Sequence, residues 1–110
     1  MSDIRQARKA LVARILDGRG HASSTQRRAA FDNAGLPEVV SRLVEKVARH
    51  AYKVTDADMV AVRAAGFTED QIFELVVCAA IGQATRQYET ALAALDAAIE
   101  RTEHAPRDTR

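Results

Sequence analysis

The sequence predicts an all-α protein, a bundle of five or six helices, and three observations carry that reading. Apolar residues recur at three- and four-residue spacing through most of the chain. No segment alternates at period two as a half-buried strand would. Capping signatures and glycines fall at the joints between the periodic stretches. A chain of 110 residues has room for one domain, expected over residues 1–101, with a flexible polar tail over 102–110.

The first helix is expected from Asp3 to Asp17, with Ile4, Ala7, Leu11, Ile15 and Leu16 as its apolar stripe and Gly18 and Gly20 as its stop. Ser23 and Gln26 have the spacing of a capping box and open a short helix through Phe31 that stops before Gly35. Pro37 suits the first turn of a third helix, because its missing N–H would have had no intrahelical partner there. In that helix Val39 or Val40, Leu43, Val44, Val47 and Ala51 keep the helical period. Thr55 with Asp58 starts a fourth helix, and Gly66 ends it. Thr68 and Gln71 cap the last helix, with Glu69 and Asp70 in its first turn, where the positive end of the helix favours them. Its apolar line is expected along Ile72, Val76, Ala80, Ala84, Tyr88, Leu92, Leu95 and Ile99, to about Arg101. Such a helix is longer than a compact domain of this size is wide. Either it bends near Gly82 or part of it packs against another subunit.

Composition narrows the function classes. The hydrophobic share is 47%, with no Trp, three Phe and two Tyr, so the core must be aliphatic. One cysteine, Cys78, excludes an intrachain disulfide and a cysteine-based zinc site. The longest apolar run, Leu75 to Ile81, is far short of the ~18 residues a membrane span needs. Met1 is followed by Ser-Asp-Ile-Arg, with no secretory signal, and a cytoplasmic protein is expected. Residues 1–53 carry 11 basic and 5 acidic side chains, and residues 54–110 carry 5 and 10. Halves of opposite sign complement each other within a subunit or between copies.

The candidate chemistry is sparse. His21, His50 and His104 are scattered, His104 with Asp108 in the tail offers only a weak helical ligand spacing, and neither a metal nor another cofactor is expected. No phosphate loop, serine elbow or Cys–His pair is present. Cys78 has aliphatic neighbours in sequence and reads as a small buried apolar residue. Gln83, Thr85, Arg86 and Gln87 interrupt the long helix with polar groups; Arg86 is expected to pair with a carboxylate such as Glu74 or Asp58, or to bind an anion.

The run from Val54 through Gly66-Phe67-Thr68-Glu69-Asp70 to Glu74 resembles the alkyl hydroperoxidase D-like, or carboxymuconolactone decarboxylase-like, superfamily. There a helix ends in small-small-Gly, then an apolar residue, Ser/Thr and two acidic or polar positions precede an Ala-rich helix, here Glu74 to Thr90. The resemblance covers about Leu43 to Leu95. It implies an all-helical fold and a homo-oligomer, a trimer or hexamer. The peroxidase members carry Cys-x-x-Cys-x-x-x-His before that Gly; the ungapped register places Ala51, Val54 and Asp58 at those positions. A chain with one cysteine cannot supply both an attacking thiolate and a resolving thiol, so dithiol peroxidase activity is not expected.

The sequence therefore points to a small oligomeric helical protein with a binding or structural role. The alternative is an acid–base, lactone decarboxylase-like enzyme that draws on His50, Tyr52, Lys53, Asp58 and Arg86 near the former motif. A helix-turn-helix reading of residues 55–74 is the least favoured, because Glu69, Asp70 and Glu74 would meet phosphates with the wrong sign. The basic side chains Arg5, Arg8, Lys9, Arg14, Arg27 and Arg28 lie elsewhere.

Overall fold

Capping and glycine geometry set the helix boundaries in the computed structural model, which describes residues 2–104. The elements are α1 (Ser2–Asp17), α2 (Ser24–Asp32), α3 (Glu38–Arg49), a 3-10 turn at Ala51–Lys53, α4 (Asp56–Ala64) and α5 (Glu69–His104), and no strand occurs among the described residues. Ser23 and Gln26 form both halves of a capping box at α2, and Thr55 and Asp58 do the same at α4. At α5 the Gln71 N–H donates to Thr68 Oγ1, and Gln71 Oε1 accepts from the Thr68 N–H. Asn33 closes α2 in the left-handed region at φ 54°, and Gly66 takes φ 103° after α4, a conformation that strains any residue with a Cβ. Pro37 stands one residue before the first turn of α3, as its N-cap.

The core lies where α2, α3 and α4 pack on the first half of α5. Ile72, Leu75, Cys78 and Ala79 of α5 meet Ala30 of α2, Val40, Leu43 and Val44 of α3, and Val62 of α4 in one buried cluster. Its side chains are aliphatic apart from the Cys78 thiol, as the composition requires.

Three expectations need correction. On α1, Ile4 and Leu11 are exposed, and Leu16 with the half-buried Val12 and Ile15 faces the core instead. On α5, Ala80 and Ala84 are exposed and the buried line is Ile72, Leu75, Cys78, Ala79 and Gly82. Steps of four drift around a helix of 3.6 residues per turn, whereas alternating steps of three and four stay on one face. Gly82 also has a different task from the one expected. The helix runs through it without interruption, and a Cβ there would overlap the Phe31 carbonyl, so the glycine lets α2 and α5 approach closely.

α5 continues to His104, past Arg101 and into the stretch expected to be tail. Residues 105–110, with Pro106 and the proposed His104–Asp108 pairing, lie outside the described residues. At 1.5 Å per residue α5 is about 54 Å long. The molecule is accordingly elongated, 68 × 29 × 20 Å, with a radius of gyration of 18.5 Å. A compact chain of this length would have a radius of about 13 Å. None of residues 87–103 is buried, and Leu95 and Ile99 stand 54% and 47% exposed.

Candidate functional site

His50, Tyr52 and Lys53 lie together where α3 ends and the 3-10 turn begins, while Asp58 stands on α4 and Arg86 on α5. His50 ends α3, where its backbone leaves the helix at φ −146° and ψ 55°, and its ring stands edge-on to Tyr52 at 6.1 Å. The Lys53 ammonium lies 6.0 Å from the centroid of the same Tyr52 ring, and Tyr52 itself is 82% exposed. Ala51 is exposed on the 3-10 turn, and Val54 packs against the core just after it. The three motif-equivalent positions Ala51, Val54 and Asp58 thus do not share one helix.

Asp58 serves the fold. Both its oxygens accept from Lys46 Nζ at 2.9 Å, and Oδ2 accepts from the Thr55 N–H at 2.8 Å. The Lys46 bond, followed by the Thr55 N–H, holds this carboxyl below its ordinary range against the opposing effect of burial. Arg86 reaches neither Glu74 nor Asp58. Its guanidinium donates to the Phe31 carbonyl at 2.5 Å and to Gln83 Oε1 at 3.1 Å, so it ties α5 to the C-terminal end of α2. Of the four polar residues in that stretch only Gln87 is exposed; Gln83, Thr85 and Arg86 are half-buried.

The densest polar arrangement joins segments some fifty residues apart, around Glu74, Arg27 and Cys78. The chain crosses from α1 to α2 through Gly18–Ser23, and this crossing folds over the Glu74 carboxylate. Glu74 Oε1 accepts from the N–H groups of His21 and Ala22, both at 2.9 Å. Oε2 accepts from the His21 N–H at 2.8 Å and faces His21 Nδ1 at 3.0 Å. Gly20 makes the approach possible, because a Cβ there would lie 2.6 Å from Glu74 Oε1. Asp70 lies 3.7 Å from His21 Nε2 on the other side of the ring. Burial pushes the Glu74 carboxyl up, but the Ala22 and His21 donors together outweigh it and hold the group below its ordinary range.

Beside this clamp opens a cleft of about 200 Å³ lined by Arg14, Arg19, Arg27, Phe73, Glu74 and Cys78 among others. Arg27 is only 6% exposed; one Nη donates to the Ile15 carbonyl at 3.0 Å, and its buried Nε has no partner. Burial raises the Cys78 thiol above its ordinary range; Arg27 pulls it down and Glu74 adds to the rise. A thiol in that state is a poor nucleophile at neutral pH. Sequence reading identified Cys78 as buried but missed Glu74 and Arg27 as partners of the α1–α2 crossing. The only local signal is the pair of glycines at 18 and 20, which the helix stop accounts for equally well.

Among the described residues no group of three or more His, Cys, Asp or Glu side chains gathers as a metal site. No helix among them is long and apolar enough to cross a membrane. Neither a family model, nor a curated protein, nor a solved structure matches this chain, so its site is read from its own geometry.

Proposed function

We propose that this chain is a self-associating helical protein with a binding or structural role, and that it is not a dithiol peroxidase. The observation that carries the reading is the second half of α5. Leu92, Leu95 and Ile99 form one stripe there, and Leu95 and Ile99 stay exposed because no other element among the described residues reaches them. A second copy suits this surface in charge as well as in polarity. The outer half of α5 carries Glu89, Asp96, Glu100 and Glu103 against Arg101. Helix α1, which exposes Ile4 and Leu11, carries Arg5, Arg8, Lys9 and Arg14 against Asp3 and Asp17. Opposite charges already meet within one copy, where Arg8 lies 3.7 Å from Glu89 and 4.8 Å from the centroid of the Tyr88 ring. The resemblance of residues 43–95 to the alkyl hydroperoxidase D-like superfamily points toward a homo-oligomer too.

The acid–base alternative is less favoured, because Asp58 is engaged by Lys46 and Arg86 by the Phe31 carbonyl. For nucleic acid, the first turn of α5 presents Asp70 and Glu69, the latter bound to Arg63 at 3.0 Å, which leaves that helix end anionic. Light scattering with a mass readout tests the reading. The expected result is a dimer or larger species that dissociates in Leu95→Glu combined with Ile99→Glu while helicity is retained. A native monomer at high concentration would overturn it.

A further inference from the structure

The cleft beside Glu74 carries an excess of positive charge. Its lining carries three guanidinium groups, Arg14, Arg19 and Arg27, and one carboxylate. That carboxylate is already occupied: both Glu74 oxygens accept from His21, and Oε1 also accepts from the Ala22 N–H. Its lone pairs are turned toward the crossing, and among the described residues it makes no ion pair with Arg14, Arg19 or Arg27. Arg27 is more than nine-tenths buried, yet its Nε finds no acceptor. A buried donor of this kind is costly to leave unpaired. The remaining wall is apolar, formed by Ile15, Phe73 and Val77.

We propose that this cleft binds a small organic oxyanion, a carboxylate bearing a compact apolar group, with its oxygens toward Arg14, Arg19 and Arg27 and its apolar part against Phe73 and Val77. Planar guanidinium forks match the two oxygens of a carboxylate. A volume of about 200 Å³ suits a single ring or short branched chain. The site lies on the inner half of α5, so its occupancy and the mass of the assembly are separate measurements.

Benzoate, acetate and inorganic phosphate, titrated calorimetrically into the native full chain at neutral pH, test the inference. Benzoate is expected to bind saturably and more tightly than either acetate or phosphate. Arg14→Ala combined with Arg19→Ala alters exposed side chains and leaves the core intact, and should weaken benzoate about tenfold or more. Arg27→Gln should do the same, provided its circular dichroism remains native. Alkylation of Cys78, which lines the same cleft, should slow when benzoate is present. Absence of saturable benzoate binding at millimolar concentration would overturn the proposal, as would binding indifferent to Arg14 and Arg19. Phosphate binding as tight as benzoate would overturn the apolar part of it, and unchanged Cys78 alkylation would place the ligand elsewhere.

Discussion

The two halves of α5 are drawn from similar residues and sit in opposite surroundings. Residues 69–86 are enclosed by α2, α3 and α4, and bury Ile72, Leu75, Cys78, Ala79 and Gly82. Residues 87–103 bury nothing, although Leu92, Leu95 and Ile99 continue an apolar stripe. The contrast separates what makes a helix from what makes a core. The inner half is fixed by packing and bears the cost of nucleation. The outer half, rich in Ala with Leu and Glu, then propagates an existing helix with good helix formers. Its helicity therefore requires no partner. Its uncovered leucine and isoleucine are what call for one.

The strongest way to break the contrast is at Gly82, where the inner half touches α2. A side chain there would collide with the Phe31 backbone, which cannot rotate away as a flexible side chain would. Gly82→Val is expected to cost more than about 3 kcal/mol in denaturant unfolding. A matched pair of truncations comes next. Leu75→Ala, at 1% exposure, should destabilise by about 2–5 kcal/mol. Leu95→Ala, at 54% exposure, should leave the fold of a single copy within about 0.5 kcal/mol and act on the assembly instead. Equal losses at the two positions, measured below the concentration of assembly, would erase the distinction.

A smaller effect is expected at Glu74, which joins the inner half to the α1–α2 crossing. Its folded pKa lies below the ordinary 4.5, so its stabilisation is complete above that unfolded value and is lost as pH falls through the folded one. Glu74→Gln should lower stability at neutral pH by about 1.5 kcal/mol. It should also flatten the acid limb of the stability curve below about pH 4.5. A variant with an unaltered acid limb would mean the clamp is dispensable. Smallest of all, native Cys78 should react slowly with alkylating reagents at neutral pH, since burial keeps its thiol protonated.

Much of the fold is legible in the sequence because its signals are local. Ser23–Gln26, Thr55–Asp58 and Thr68–Gln71 each span three residues and fix helix starts by contacts within one turn. The faces of α1 and α5 were harder to read, because several apolar lines compete on an Ala-rich helix and only neighbouring helices choose among them. That choice left Ile4 and Leu11 outside and placed Arg8 beside Tyr88 and Glu89. The candidate site was hidden for a related reason. Its members come from residues 14–27 and 73–78, and neither stretch alone resembles a known motif. His50, Lys53, Asp58 and Arg86 drew attention by proximity in sequence, but two of them serve the fold, Asp58 held by Lys46 and Arg86 by the Phe31 carbonyl.

The Arg86–Phe31 bond has a consequence for the order in which the chain assembles. Helix α2 is nine residues long and has no basic residue in its last turn, so it cannot offset the negative pole at its own C-terminal end. Arg86 supplies that cation from α5, fifty-five positions further on. A peptide so short is marginal in water. On the growing chain α2 should therefore stay loosely coiled until α5 has emerged to meet it, and a synthetic peptide of residues 22–35 should show little helical circular dichroism alone.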